Sequence, residues 1–336
     1  MDKDPDSVAR TQSPPKEHWR AQVRGGFHNP AALLSHLGLS SARTDENRHF
    51  PLRIPQAFVE RMRANDPDDP LLLQVLPDPG ETEANSGFSL DPVGDLESRS
   101  APAILHKYRG RALIMTTGAC AVHCRYCFRQ HFPYSGQTVT PRRWATALNY
   151  LRAHDDIDEV IFSGGDPLML STHQLRQLTD DLATLPAIRR LRIHTRMPVV
   201  LPDRVTPRLL DWLTDLRLPM VIVIHANHAQ EFDAAVDQAL DQLRSCGAHL
   251  LNQAVLMRRI NDNLDDLKQL MERGFSAGVL PYYLHQLDRV VGSSRFEVTD
   301  DRARELINGL RENLPGYLVP RLVREERDQP YKLPVL

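Results

Sequence analysis

From Arg111 onward, short apolar runs alternate with longer amphipathic stretches, and this alternation constrains the fold more than any other feature of the 336-residue chain. The apolar runs are nearly continuous, which indicates strands buried on both faces of a parallel sheet. About six such units predict an α/β fold, an incomplete (β/α)6 barrel, since a complete eight-unit barrel takes about 250 residues. A doubly wound open sheet is the alternative. The predicted strands lie in RALIMTT, DEVIFSG, RLRIHT, PMVIVIHAN, HLLNQAVLM and VLPYYLHQ.

Three further segments flank the predicted barrel, which we place at residues 106–300. Residues 1–20 are polar and contain proline, which is typical of a loose N-terminus. Residues 21–105 show helical spacing of apolar side chains between breaks rich in proline and aspartate, which predicts a small helical region. Residues 301–336 form a C-terminal segment.

The charge balance and hydropathy narrow the function class. The chain has 41 basic and 43 acidic residues, so nothing indicates a nucleic-acid surface. It has no secretory signal pattern and no run of about 18 apolar residues that would span a bilayer. We therefore expect a cytoplasmic protein that binds neither nucleic acid nor membrane.

Three of the four cysteines, Cys120, Cys124 and Cys127, fall within eight residues after the first predicted strand. They are too few and too clustered for a disulfide framework, which indicates metal binding or catalysis. Thiolates are the usual ligands of iron–sulfur clusters, and three of them can hold three irons of a 4Fe–4S cube. The fourth iron is then free to bind S-adenosylmethionine (SAM). A structural zinc site would want four ligands, usually in two pairs.

The turn SGGDPL ends the second predicted strand and lies beside the cysteine loop in a parallel sheet, because carboxyl ends of such strands meet at one edge. Gly164 and Gly165 let backbone donors approach a ligand, and the carboxylate of Asp166 can accept from an ammonium group. Alone, such a turn is ordinary. Beside the cysteine loop, Ser163 to Asp166 resemble the motif of radical SAM enzymes that binds the methionyl amino group of SAM, and this resemblance implies the same role here.

Several motifs resemble those of lysine 2,3-aminomutases, which are radical SAM enzymes. The resemblance extends over nearly the whole chain after the first twenty residues, and CRYCFRQHFPY with the short C-terminus is most similar to the bacterial branch that serves elongation factor P. The motifs are FPLRIPQAF, DPDDPLLLQVLPDP, CAVHCRYCFRQHFPY, SGGDPLML, HTRMPVVLP, NQAVLMRRIND and GYLVPRLVREERDQPYKLPV.

The resemblance implies an isomerase that uses a 4Fe–4S cluster, SAM and pyridoxal 5′-phosphate (PLP). A radical derived from SAM would remove a hydrogen from PLP-bound L-lysine, and the amino group would move from C2 to C3. The product would be (R)-β-lysine, which a partner ligase attaches to elongation factor P. The resemblance also implies an electron donor such as flavodoxin or ferredoxin and a homo-oligomer. No zinc is expected, because the cysteines of the C-terminal extension in clostridial-type enzymes are absent from this sequence.

The same resemblance assigns roles to basic residues that, taken alone, read as solvated surface charges. Lys332 matches the catalytic lysine that forms a Schiff base with PLP, so the C-terminal segment must fold back over the barrel. Lys107 and Arg111 match positions that bind the PLP phosphate. Arg129 matches the residue that binds the α-carboxylate of the substrate, a planar group that suits arginine.

The ε-ammonium group of lysine needs carboxylates in a buried pocket, because an unpaired buried charge is costly. Asp262 and Glu325 match the family positions, with Glu326 or Asp328 as alternatives to Glu325. Asn227 and Gln253 are predicted to contact SAM. Three histidines at the predicted barrel mouth are interpreted as polar core or loop residues rather than metal ligands, namely His194, His225 and His228.

Three alternatives remain open on the sequence. The first is a lysine 2,3-aminomutase whose β-lysine serves catabolism or osmolyte synthesis. The second is a radical SAM enzyme that lacks PLP. The third, from a different class, is a non-catalytic iron–sulfur or zinc protein.

Overall fold

The computed structural model describes residues 18–40, 50–82 and 85–336. The described chain forms one ten-stranded sheet in which every strand pairs with the next strand along the sequence. The strands are β1 (Arg99–Ala101), β2 (Ile104–Tyr108), β3 (Arg111–Thr117), β4 (Glu159–Gly164), β5 (Arg190–Thr195), β6 (Met220–Ile224), β7 (His249–Val255), β8 (Leu280–His285), β9 (Arg321–Arg324) and β10 (Leu333–Pro334).

The strand order confirms the predicted incomplete barrel. Strands β3 to β9 are parallel, β1 and β2 add an antiparallel hairpin at one edge, and β10 is antiparallel at the other. A doubly wound sheet reverses its strand order at a switch point, and this sheet does not. All six predicted strands are present as β3 to β8. The seventh parallel strand, β9, was not predicted, because four residues are too few to show a period.

Helices alternate with the parallel strands and cover the outside of the sheet. Each helix between consecutive strands from β3 to β9 begins after a residue whose side chain accepts a backbone N–H, apart from the short α7, and this capping fixes where it starts. Within the described residues, no helix is both long enough and apolar enough to span a bilayer. The helices are α1 (His18–Gly25), α2 (Pro30–His36), α3 (Gln56–Val59), α4 (Pro70–Leu73), α5 (Pro141–Ala153), α6 (Thr172–Leu182), α7 (Met197–Val200), α8 (Pro207–Thr214), α9 (Ala234–Ser245), α10 (Leu264–Ser276) and α11 (Asp300–Asn313).

The N-terminal helices share one hydrophobic core with the barrel. Trp19 and Phe58 belong to the same buried cluster as Phe162 of β4. The side chain of Gln74, which follows α4, reaches Glu231 in the loop after β6 over 3.1 Å. The N-terminal region therefore supports the site-bearing end of the barrel. Most of the predicted loose N-terminus lies outside the described residues, and the segment boundaries at 20, 105 and 300 stay predictions.

Candidate active site

A cavity inside the barrel brings most of the predicted site residues together. Its wall is formed by the loops after several parallel strands, by the β2–β3 hairpin and by the C-terminal segment. Asn227 and Asp262 do not line it. The predicted residues that do are Lys107, Arg111, Cys120, Cys124, Cys127, Arg129, Ser163, Gly164, Gly165, Asp166, Gln253, Glu325 and Lys332.

The cysteine loop follows β3 and presents all three thiols to this cavity. The backbone N–H of Cys127 donates to the carbonyl of Cys124 over 3.0 Å, which curls the loop. Burial raises the pKa of Cys127 to about 12 and that of Cys120 well above its ordinary value. These two thiols are therefore protonated at neutral pH until a metal displaces their protons. The donor set fits an iron–sulfur cluster with three protein thiolates.

Two glycines allow the turn after β4 to pack closely against the cysteine loop. Gly164 has a φ of +117°, and a Cβ atom there would lie 2.5 Å from the carbonyl oxygen of Thr117. A Cβ atom on Gly165 would lie 2.4 Å from the carbonyl oxygen of Ala119. The N–H groups of Gly165 and Asp166 donate to the same two carbonyls. The glycines therefore serve loop-to-loop packing as well as any approach to a ligand.

Replacing Gly165 with alanine should destabilise the protein and loosen the cysteine loop. The added methyl group must displace the backbone at Ala119, and overpacking of this kind costs about 1–3 kcal/mol. Chemical denaturation measures the free energy of unfolding, and iron content after reconstitution reports on the loop. Gly25→Ala is the control, since a Cβ there meets nothing within 4 Å. Equal stability of the two variants would contradict this packing.

Asp166 connects the loops after β4 and β5. Its carboxylate accepts hydrogen bonds from the backbone N–H groups of Leu168, Arg196 and Met197 and from the hydroxyl of Thr195, over 2.7–3.1 Å. A carboxylate has about four acceptor positions, so these bonds use its capacity. The predicted contact between Asp166 and an ammonium group would need one of them to break.

A chain of alternating charges crosses the cavity wall. Nε of Arg129 lies 2.7 Å from a carboxylate oxygen of Asp95, and Nζ of Lys107 lies 2.5 Å from the other. The same Nζ lies 3.0 Å from Oε1 of Glu325, whose Oε2 contacts Nζ of Lys332. The predicted substrate-carboxylate residue and the predicted PLP lysine are thus joined through three intervening charged groups.

These contacts keep both carboxylates of the chain ionised. Burial alone would raise their pKa values, but Arg129 and Lys107 hold the pKa of Asp95 below its ordinary value. Lys332 and Lys107 likewise hold the pKa of Glu325 well below its usual range. Sequence reasoning missed Asp95, because it is one acid among many in a stretch rich in proline and aspartate.

The C-terminal segment carries Lys332 to the cavity by pairing with the sheet edge. Leu333 of β10 lies opposite Arg324 of β9 in an antiparallel pair. This register places Lys332, just before β10, beside Glu325, just after β9. The C-terminal segment therefore folds back onto the barrel at its last strand.

The two predicted acids of the ammonium site are not brought together. The carboxylate of Asp262 accepts from the backbone N–H of Arg259 over 2.8 Å, and its carbonyl accepts from Arg302, away from the cavity. Asp288, in the loop after β8, lines the cavity with Glu325 instead. Burial and the charge of Glu325 raise the pKa of Asp288 to about 7. The signal for Asp288 was present in the sequence, as the acid of HQLD at the carboxyl end of a predicted strand.

Neutral histidines line the middle of the cavity. Burial lowers the pKa values of His194 and His285 well below the ordinary range, and the ring Nε2 of each has no hydrogen-bond partner within the described residues. Burial also lowers the pKa of His225 to about 3, and its Nε2 lies 2.8 Å from the hydroxyl of Tyr126. His228 is not part of the wall. The unpartnered ring nitrogens offer polar contacts to a bound ligand.

Asn227 lies behind the cavity wall rather than on it. Its amide donates to the hydroxyl of Tyr126 over 2.7 Å and to Oε1 of Gln74 over 2.9 Å, and its carbonyl oxygen accepts from Val255. Asn227 thus holds Tyr126 in place. Gln253, the other predicted SAM contact, is on the wall.

A second basic group lies toward the amino ends of the strands. Arg111 begins β3, and Arg192 is the third residue of β5. Both line the cavity, and both lower the pKa of Tyr283, whose net shift is upward through burial. The guanidinium of Arg111 stacks on Tyr108 at 4.6 Å. Because β3 ends where the cysteine loop begins, the cavity runs along the barrel interior and not only across its mouth.

Comparison with known proteins assigns the chain to a family. Residues 114–273 match the radical SAM superfamily. This range contains the cysteine loop after β3, and the protein is therefore a radical SAM enzyme. The chain is 44% identical over 333 residues to the L-lysine 2,3-aminomutase of Escherichia coli strain K12, covering 98% of this chain and 97% of that protein. The chain belongs to the lysine 2,3-aminomutase family.

Further relatives support this assignment. The L-lysine 2,3-aminomutase of Haemophilus influenzae is 42% identical, with 94% of this chain and 95% of that protein covered. The Clostridium subterminale enzyme of the same name is 30% identical, with 95% and 77% covered. As a member of this family, the protein is an isomerase that uses a 4Fe–4S cluster, SAM and PLP.

Proposed function

We propose that the protein converts L-lysine to (R)-β-lysine. The observation that carries this proposal is the convergence, on one cavity, of three thiols, a lysine on the C-terminal segment and oppositely charged groups for both ends of a lysine substrate. When bound, the cluster and SAM supply the initiating radical, and PLP makes migration of the amino group accessible to that radical. The residues of the chain bind and orient these cofactors and the substrate.

Cys120, Cys124 and Cys127 hold the cluster in this proposal and leave one iron for SAM. The carboxylate of Asp166 already accepts four hydrogen bonds, so the backbone carbonyls of the turn from Ser163 to Gly165 meet the amino group of SAM. The carbonyls of Ser163 and Gly164 each accept one hydroxyl already and offer their second acceptor position. Gln253 lies on the same wall and contacts another part of SAM.

Lys332 attaches PLP covalently, as its amine is the one lysine nitrogen that the C-terminal segment brings to the cavity within the described residues. Arg111 binds the PLP phosphate, and Arg192, whose guanidinium is paired with Glu159, lies on the same cavity wall. Lys107, the other predicted phosphate residue, has its charge already compensated by Asp95 and Glu325. Its role as a phosphate contact stays a prediction.

Arg129 binds the α-carboxylate of the substrate, and Asp95 holds its guanidinium in place through the 2.7 Å contact. Asp288 and Glu325 bind the ε-ammonium group, since both line the cavity and face the ammonium of Lys332. A substrate without a distal positive charge gains no charge-assisted contact here, because Glu325 stays paired with Lys107 and Lys332 and Asp288 keeps its proton below neutral pH.

Replacing Asp288 with asparagine should raise the KM for lysine about tenfold or more, since a buried charge-assisted contact contributes about 1.5–3 kcal/mol. With a pKa of about 7, Asp288 is protonated below neutral pH in the ligand-free protein. Substrate ammonium favours the ionised form, so lysine binding releases a proton and the wild-type KM should fall as pH rises through 7. Steady-state kinetics from about pH 6 to 8.5 measure both effects.

The variant should lose this pH step, because asparagine does not titrate. Asp262→Asn is the matched control and should leave the KM within about twofold, as surface substitutions usually do. A larger effect at Asp262 than at Asp288 would contradict the assignment of the ammonium site.

The direct test of the activity is anaerobic reconstitution with iron, sulfide, PLP, SAM and a reductant, followed by chiral analysis of the product from L-lysine. The proposal expects (R)-β-lysine. Recovery of unchanged lysine from protein that carries a cluster and PLP would refute it, and (S)-β-lysine would refute the stereochemical part alone.

We also propose that the β-lysine modifies elongation factor P in the cytoplasm, on the strength of the motif CRYCFRQHFPY and of the near-complete match in length to the E. coli and H. influenzae relatives. Deletion of the gene should remove the β-lysyl mass from the factor, as intact-protein mass spectrometry would show. An unchanged mass of the factor, with free β-lysine depleted in the cell, would favour the role in catabolism or osmolyte synthesis.

A further inference from the structure

The guanidinium of Arg196 lies against the middle thiol of the cysteine loop. Arg196 directly follows β5, and its Nη1 is 2.8 Å from the Sγ of Cys124. Arg196 is 6% exposed, so water competes little for this contact. In the part of the chain that the structure describes, this is the one hydrogen bond from a side-chain nitrogen to any of the three thiols. The three sulfurs are therefore not equivalent.

Arg196 is held by three further hydrogen bonds, two from its Nη2 and one from its backbone N–H, while its Nε has no partner within the described residues. Nη2 donates to Oε2 of Glu231 over 2.9 Å and to Oε1 of Gln74 over 2.7 Å, and the backbone N–H donates to Asp166. Glu231 is itself fully buried and accepts from the backbone N–H of Asn227 over 2.8 Å. This fixed orientation keeps Nη1 on the sulfur and places a compensating carboxylate on the far side of the guanidinium.

We propose that Arg196 raises the reduction potential of the 4Fe–4S cluster through its hydrogen bond to Cys124, and that Glu231 moderates this effect. The inference rests on the proposed cluster site. A cationic donor on a thiolate ligand draws electron density from the sulfur and stabilises the reduced cluster. The carboxylate of Glu231 partly cancels the positive charge, so it acts in the opposite sense. Arg196 is a positioning residue that acts through Cys124.

The test is an EPR-monitored redox titration of the reconstituted protein without SAM. The double variant Arg196→Gln with Glu231→Gln removes the sulfur donor without leaving a buried charge unpaired. We expect reduction to become roughly tenfold less favourable, which is about 59 mV more negative for one electron. Glu231→Gln alone should shift the midpoint in the opposite direction. Arg196→Lys keeps the charge and should shift the midpoint less than the double variant.

The chain offers a matched control in Arg125 and Glu81. Arg125 neighbours Cys124 in sequence, is fully buried and pairs with the carboxylate of Glu81, but it donates to Glu81 and to the carbonyl of Phe50 rather than to a sulfur. The double variant Arg125→Gln with Glu81→Gln should change the equilibrium constant for reduction less than about twofold, because it removes one positive and one negative charge without touching a cluster ligand. Arg295, which also lies 3.4 Å from Glu81, keeps Asp78 as a partner.

Several outcomes overturn the inference. Equal shifts in the two double variants would show a general loss of packing, and shifts of the same sign in Glu231→Gln and the double variant would contradict the electrostatic account. An unchanged midpoint with weakened SAM binding would assign Arg196 to SAM. If the double variant holds no cluster, the directions of the midpoint shifts in Arg196→Lys and Glu231→Gln test the inference instead. If the wild-type protein gives no cluster signal, the proposed function fails as well.

Discussion

Substituting Cys124 with alanine is expected to abolish SAM cleavage. The three thiols of the loop each line the cavity, and no further cysteine is within the loop to replace a lost ligand. A cube held by two thiolates exposes a second iron and loses the arrangement that leaves one iron for SAM. Anaerobic reconstitution followed by chromatography of 5′-deoxyadenosine measures the loss, and iron analysis should show a depleted cluster.

Cys246→Ala is the matched control for this substitution. Cys246 lies after α9, and its Sγ contacts the carbonyl of Leu210 at 3.7 Å, outside the cavity. Its removal should leave SAM cleavage and iron content unchanged. Cleavage that persists in Cys124→Ala at the wild-type rate would mean that the cluster ligands are misassigned.

Substituting Lys332 with alanine is expected to separate SAM cleavage from β-lysine formation. Lys332 is the residue that the β9–β10 pairing brings to the cavity, and in the proposed function its amine is the group that attaches PLP. Formation of β-lysine should fall about 10²-fold or more, since misplacement of a reacting group by about 1 Å already has that effect. SAM cleavage, which depends on the cysteine loop, should continue at a measurable uncoupled rate.

Lys268→Ala provides the comparison for Lys332. Lys268 is on the outer helix α10, and its Nζ contacts Asn313 at 3.3 Å. The variant should retain PLP and full activity. If Lys332→Ala keeps both PLP and β-lysine formation, PLP is not held through this lysine and the assignment of Lys332 is wrong. Formation of β-lysine by wild-type protein that carries no PLP would instead favour the alternative of a radical SAM enzyme without PLP.

The barrel and the cysteine loop could be predicted from the sequence because both have strong local signals. The period of apolar residues marks β3 to β8, and the spacing of Cys120, Cys124 and Cys127 by itself restricts the chemistry to a few kinds of metal site. Strand β9 escaped prediction because its four residues show no period, and the β1–β2 hairpin because it lies in a region that reads as helical.

The polar side of the site depended on tertiary contacts that a linear pattern does not reveal. Asp95 and Arg129 are far apart in sequence, and only the fold shows that they pair. Asp262 was chosen from a motif, whereas Asp288 faces the cavity because β8 ends there. Asp166 lines the cavity as predicted, yet its carboxylate already accepts hydrogen bonds from Thr195 and from the loop after β5. The type of residue was predictable in these cases, but its partner was not.

Iron analysis and EPR spectroscopy of the anaerobically reconstituted wild-type protein measure whether the three cysteines hold a 4Fe–4S cluster with one iron open to SAM. We predict a brown protein with about four irons per chain and a reduced-cluster EPR signal that changes on addition of SAM, because one iron is open to SAM. A colourless protein that holds a single zinc ion, or a cluster whose signal is indifferent to SAM, would contradict this prediction.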